Sequence, residues 1–196
     1  MKLSALYKIC KKNKIVHILH DEEEERQWIM VEGNLYPTDG LPRMGKEELL
    51  TMMDVPKDEE DKWIVKVEQM NERMRYFAAD NAQGDEHAEE LRARVIIDGE
   101  ELAAIQTDCG VVLIPAEALK PVSDSAKKYE LFSRKVMGEV WIAVKNGFQL
   151  IATIGRMKVT NDEAADCLRL VADRIIEDYN TQKAIDEKRN GVQQHI

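Results

Sequence analysis

Histidines, cysteines and clustered carboxylates are the side chains here that could do chemistry, and their spacing decides what chemistry. His17 and His20 stand three apart in a β-branched, apolar run, where alternation sends them to opposite faces, so they cannot both bind one metal ion directly. Packing or an edge position is their expected role. His87 falls in an acidic stretch and His195 near the last residue, which leaves no histidine beside a nucleophile and no catalytic triad in view. Cys109, in Thr107-Asp108-Cys109-Gly110, would need a neighbouring base or cation to act as a nucleophile, and none is identifiable from the sequence.

Cys10, Cys109 and Cys167 are odd in number, far apart and outside any CxxC pairing, so neither a disulfide framework nor a zinc site is expected and a reducing cytoplasm fits best. The acidic groups Glu22 to Glu25, Asp58 to Asp61 and Asp85 to Glu90 lack the alternation and the glycine of a calcium loop and read as solvated turns. Neither a P-loop nor GxGxxG occurs. The expectation is a chain with no catalytic residues, no metal and no cofactor, although catalytic groups can converge from residues that no linear motif reveals.

The elements that must position these residues follow from apolar spacing. Leu3, Leu6, Tyr7 and Cys10 share one face of a helix over Leu3 to Lys12, and Lys8, Lys11 and Lys12 point away from it. Strands are expected at Ile15 to Leu19, Gln27 to Val31 and around Leu35 and Tyr36, the last two joined by a two-residue turn at Gly33 and Asn34. A short helix follows over Lys46 to Met53, closed by Pro56, and then a strand over Trp63 to Val67. Residues 80 to 90 hold Gly84 and little that is apolar, which marks a mobile loop. Beyond it, strands Leu91 to Ile97 and Leu102 to Gln106 meet at an Asp98-Gly99 turn.

Trp28, Trp63 and Trp141 each precede Ile in a strand, which suits core packing better than base stacking. The last element is a long helix from about 160 to 188, opened by a Thr160 and Glu163 capping box and stopping before Gly191. Its apolar stripe is Leu168, Val171, Ile175, Ile176 and Tyr179.

Within two segments, about 1 to 57 and 111 to 160, the forty positions from Ala5 to Met44 align without gaps at an offset of 113 residues. Ala5 and Leu6 meet Ala118 and Leu119, Trp28, Ile29 and Val31 meet Trp141, Ile142 and Val144, and Arg43 and Met44 meet Arg156 and Met157. Gly33-Asn34 then faces Asn146-Gly147, two residue orders for a hairpin loop at one point. Shared helix and strand periods could produce such coincidences without duplication. The fold class expected is α+β, with duplicated helix and β-hairpin units forming a mainly antiparallel sheet and a long C-terminal helix, all in a single domain of 196 residues.

The second unit is preceded by a strand, Val111 to Ile114, which makes it β-α-β-β-β. Used twice, that unit resembles the building block of DNA sliding clamps, and Val111-Val112-Leu113-Ile114-Pro115-Ala116-Glu117-Ala118-Leu119-Lys120 looks like their strand into helix. Ala104-Ile105-Gln106-Thr107-Asp108 is similar to the Thr-Asp that ends a strand in bacterial clamps. The resemblance implies helices whose basic side chains meet DNA phosphates without reading sequence. Lys8, Lys11 and Lys12 would contribute from the first unit, and Lys120, Lys127 and Lys128 from the second, where Pro121 would cut the helix to about a turn unless it starts later.

The chain departs from that family in lacking a leading strand for the first unit, in its long C-terminal helix, and in being one domain of a ring that needs about six. A short acidic chain with duplicated strands and a polar helical tail also resembles proteins of bacterial prophages. A solvated helix face is the commoner meaning of such lysines, and a protein-interaction or small-ligand-sequestering module is the alternative to a phage replication accessory.

Composition limits both readings. With 44% hydrophobic and 33% charged residues the chain is expected to fold unaided. A net charge of -9 excludes a surface that coats nucleic acid or anionic lipid throughout and leaves room only for a local basic face. The Lys-rich first residues lack the apolar core of a signal peptide, and no run of eighteen apolar residues could span a membrane. The expected partners are therefore double-stranded DNA, protein partners or further copies of the chain, and not a membrane.

Overall fold

The computed structural model describes residues 1–123, 129–136, 138–157 and 162–193. Helix α1 (Leu3–Asn13) leads into strands β1 (Ile15–Asp21), β2 (Arg26–Val31) and β3 (Asn34–Pro37). Helix α2 (Lys46–Met52), a 3-10 turn (Lys57–Lys62), strand β4 (Ile64–Gln69) and helix α3 (Glu72–Ala78) follow. The second half holds β5 (Glu86–Ile97), β6 (Glu100–Thr107), β7 (Gly110–Pro115), α4 (Ala116–Leu119), β8 (Glu130–Val136), β9 (Glu139–Asn146), β10 (Gln149–Gly155) and α5 (Asp162–Gln193). The class is α+β.

Ten strands among the described residues form one sheet, ordered β4-β1-β2-β3-β10-β9-β8-β5-β6-β7. Every pairing is antiparallel except that of β4 with β1. At its centre β3 meets β10 through Leu35 and Thr153, with β2 then β1 on one side and β9 then β8 on the other. The two helix-and-meander units therefore lie in mirrored order about that junction.

Alternation along the strands splits the core into layers. Val16, Ile18, Ile29, Leu131, Ile142 and Val144 face α1, α2 and α4, where they pack on Leu6, Ile9, Leu49, Leu50, Ala118 and Leu119. Leu19, Trp28, Leu35, Ala143 and Leu150 occupy the opposite face with Ala78 of α3. A third cluster joins Leu91, Leu102, Ala104 and Leu113 to the α5 stripe of Leu168, Val171, Ile175 and Tyr179. Burying these side chains contributes about 1.5–3 kcal/mol for each large one, so the layers rather than local propensity hold the short helices.

The repeat alignment needs correcting at its turns. The β2–β3 loop is Glu32-Gly33, with φ of 52° and 79°, closed by Val31 opposite Asn34. Positive φ at both positions is the type I′ geometry that matches strand twist, and the glycine takes the second place. The β9–β10 loop is Gly147-Phe148, between Asn146 and Gln149, with only the glycine at positive φ. Trp28 pairs with Leu19 and Pro37, whereas Trp141 pairs with Arg134 and Gly155. An offset of 113 thus holds for β2 and β9, while the flanking strands slip because the second hairpin has longer arms and a bulge between Leu150 and Ala152.

Residues 80 to 90, expected as a loop throughout, place Glu86 to Glu90 in β5 and bury the Asp85 carboxylate. Helix α5 runs through Gly191 to Gln193 rather than stopping before it. The capping residue expected at Thr160 lies outside the described residues. Helix α3 was not expected at all, yet Asn71 caps it by accepting from the Met74 N–H at 2.9 Å.

Candidate nucleic-acid interface

Helix α1 is seated by Leu6, Ile9 and Cys10, and its C-terminus closes on Lys14 in the left-handed conformation, whose N–H reaches Cys10 O. Three contacts join it and its half-sheet to α4. Lys2 N donates to Pro121 O at 2.6 Å, Tyr36 Oη to Ala118 O at 2.9 Å, and Lys12 Nζ lies 3.2 Å from Glu117 Oε2. Lys8, Lys11 and Lys12 on α1 and Lys120 at the end of α4 are exposed.

Their electrostatics differ. Glu117 accepts from Lys12 and raises the affinity of that ammonium for its proton, with Glu32 and Glu100 adding to the effect. Lys8, Lys11 and Lys120 have no ion-pair partner among the described residues. Lys127 and Lys128 lie outside the described residues. The basic character stops at the next element, since the 3-10 turn reads Lys-Asp-Glu-Glu-Asp-Lys and its Glu59 lies 3.9 Å from Lys14.

A second candidate is a polar cleft of about 470 Å³ at the β1–β2 turn. As alternation requires, His17 and His20 lie on opposite faces. His17 Nδ1 is 3.0 Å from Glu68 Oε2, and hydrogen bonding from His17 lowers the Glu68 pKa. In the cleft, His20 Nε2 faces two acceptors, Gln27 Oε1 and Met44 O, both at 3.1 Å, while Nδ1 faces the Arg43 guanidinium. That arrangement puts the ring proton on Nε2 and leaves Nδ1 accepting. Gln27 also accepts from Met44 N and donates to Thr38 Oγ1, which donates to Gln27 O. Arg26 is held by Asp39 and Asp80 over the Trp28 ring. The polar groups here answer one another, which is how a buried network sets a loop.

The third is the turn holding Cys109. Asp108 accepts from Ser133 Oγ at 2.8 Å and from Lys135 Nζ, and these bonds, Lys135 foremost, hold its carboxyl below the usual range. The Cys109 thiol points at the same carboxylate, 3.6 Å away. Lys135 is the nearby cation that the linear sequence did not reveal, and it is engaged by Asp108. A groove of about 690 Å³ continues from Cys109 between β7 and α5, floored by Val111, Leu113, Leu168 and Ile176.

The most deeply buried charges were also invisible in the sequence. Arg134, fully buried, donates to Asp85 Oδ1 and Oδ2 at 2.8 and 2.7 Å and to the carbonyls of Tyr76 and Phe77 that end α3. Lys145 completes the cluster, 2.8 Å from Asp85 and 4.6 Å from the Phe132 ring. Burial pushes the Asp85 carboxyl up, but hydrogen bonds and charge from Arg134 and Lys145 outweigh it and leave the pKa lowered. Among the described residues no group of three or more His, Cys, Asp or Glu is placed to hold a metal ion, and no helix is long and apolar enough to cross a membrane.

Compared with known proteins, the chain matches no family model, no curated protein and no solved structure.

Proposed function

We propose that the chain is a non-catalytic accessory of DNA, clamp-like in its paired units, that lays the α1–α4 face along the phosphate backbone of a duplex. The observation that carries this reading is the pairing of two helices from mirrored units on one face, with Lys8, Lys11 and Lys120 exposed and unpaired with any described carboxylate. Lysines act on phosphate as point charges without selecting bases, so binding should be independent of sequence and steep in salt. With three to four phosphate contacts, affinity should fall with a log–log slope of roughly -3 to -4.

The test is fluorescence anisotropy of a labelled duplex in low and moderate salt. Lys8→Glu/Lys11→Glu should weaken binding at least tenfold and flatten the salt slope by about two units. Absence of binding at low salt, or a double variant that binds as well as the parent, would sink the proposal. A second reading has one observation in its favour: α5 leaves Leu170 71% and Ile185 41% exposed, which suits a protein partner.

A further inference from the structure

The two ends of the sheet are finished differently. At one end, β7 lies against α5, and Leu113 O accepts from Met157 N. At the other, β4 pairs only with β1 and ends the sheet among the described residues. Ile64 N donates to Lys14 O and Met70 N to His20 O, so the even-numbered residues of β4 spend their backbone groups on β1. In a parallel ladder the alternate residues then turn theirs outward, which leaves Val65, Val67 and Gln69 with N–H and C=O directed away from the sheet. Ile64 is 52% and Val67 46% exposed, and Ile15, paired with Ile64, is 51% exposed. An edge with open backbone groups and exposed apolar side chains is a template for another strand.

We propose that a second copy of this chain occupies that edge, with β4 pairing antiparallel to its symmetry mate about Val67. The charge pattern selects the register. Centred on Val67, the outward groups of Val65, Val67 and Gln69 meet those of Gln69, Val67 and Val65 in the other copy, and Lys66 stands opposite Glu68 twice. Centring on Lys66 or Glu68 would set like charges face to face, which destabilises cross-strand pairs. Centring on Val65 or Gln69 would shorten the overlap. Lys66 and Glu68 occupy the closer, non-hydrogen-bonded positions, where side chains interact best. The contact is isologous and closes at two copies. Two six-residue edges bury less than the ~1,200 Å² of a stable complex, so association is expected at a Kd of about 10–100 µM.

Sedimentation equilibrium from about 5 to 300 µM tests this directly, because the range brackets that Kd. The parent chain should pass from monomer to dimer. Val67→Pro should stay monomeric with an unchanged thermal midpoint, since it removes an outward N–H and no bond to β1. Lys66→Glu should also be monomeric, and Lys66→Glu/Glu68→Lys should dimerise again. A parent that is monomeric throughout, a species larger than a dimer, or a folded double reversal that fails to regain dimerisation would overturn the proposal. So would a Val67→Pro chain that dimerises like the parent. If Val67→Pro does not fold, the two charge variants decide.

Discussion

The half-sheet of β1, β2 and β3 is covered by an eleven-residue helix, whereas among the described residues the helix that precedes β8, β9 and β10 has four. Pro121 is one cause, because it has no N–H to continue α4. The longer helix carries Lys8, Lys11 and Lys12, and the shorter one leaves only Lys120 on the described part of the surface. On the opposite face the second half anchors α3 through buried ions, Arg134, Asp85 and Lys145. The first half meets the same face with Leu19, Trp28 and Leu35. The two helix-and-meander units thus differ, one exposing lysines on its helix and the other holding α3 through buried ions.

The largest effect should come from breaking that anchorage. Asp85→Ala leaves Arg134 and Lys145 buried without their counter-charge, and should cost about 3–5 kcal/mol by chemical denaturation. A comparable substitution at Asp39, whose partner Arg26 also pairs with Asp80, should cost much less. The pH dependence has a definite sign. The Asp85 carboxyl is lowered in the fold, so its contribution is present above the ordinary value of ~3.9 and is lost as pH falls through the lower folded value. Asp85→Ala should therefore flatten the loss of stability below about pH 4. An unchanged acid limb in that variant would show that Asp85 is not responsible for it.

Two glycines, Gly33 in the β2–β3 turn and Gly155 at the end of β10, offer a finer contrast. A Cβ on Gly155 would lie 3.0 Å from the Trp141 ring, which is itself held edge-on by Phe77 at 4.6 Å. A Cβ on Gly33 would meet the same Trp141 ring, but at 3.9 Å, an ordinary contact, so that position is constrained by its φ of 79°. Gly155→Ala should cost about 2–3 kcal/mol through overpacking. Gly33→Ala should cost about 1–2 kcal/mol through backbone strain. Near-UV circular dichroism separates the causes, since only the first must displace the Trp141 ring and so should alter the tryptophan signal more. Equal spectra for both variants would mean that Trp141 yields freely.

What could be read in the sequence was whatever one element decides for itself. The α1 stripe, the alternation of β1 and β2, the Asp98-Gly99 turn and the stripe of α5 each depend on neighbours a few residues away. The two Trp-Ile pairs pointed to equivalent strands, but the turns beside them were misplaced by a residue or more, because arm length and the bulge depend on the partner strand. The cleft at His20 gathers Gln27, Thr38 and Arg43 from three separate segments, and the cluster at Arg134 gathers Asp85, just before β5, with residues of β8 and β9. Ser133-Arg134-Lys135 reads as a polar strand until Asp85 and the end of α3 are set against it. The Asn71 cap of α3 was a signal available in the sequence. The parallel pairing of β4 with β1 left no local signal.

The smallest effect concerns the link between the halves. Tyr36 on β3 is fully buried, and burial raises its phenol pKa, so it remains a donor to Ala118 O. Helix α4 is too short to satisfy its own last carbonyls, and this bond from the first half supplies one partner. Tyr36→Phe keeps the ring and removes the donor, which should cost about 1 kcal/mol. If α4 depends on the first half for its order, hydrogen exchange should quicken at the Val122 and Ser123 amides, both bonded to Leu119 O, before it changes in β8 to β10. Uniform acceleration across both units would instead mean that the bond serves global stability, and that the short helix is held by the packing of Ala118, Leu119 and Val122 alone.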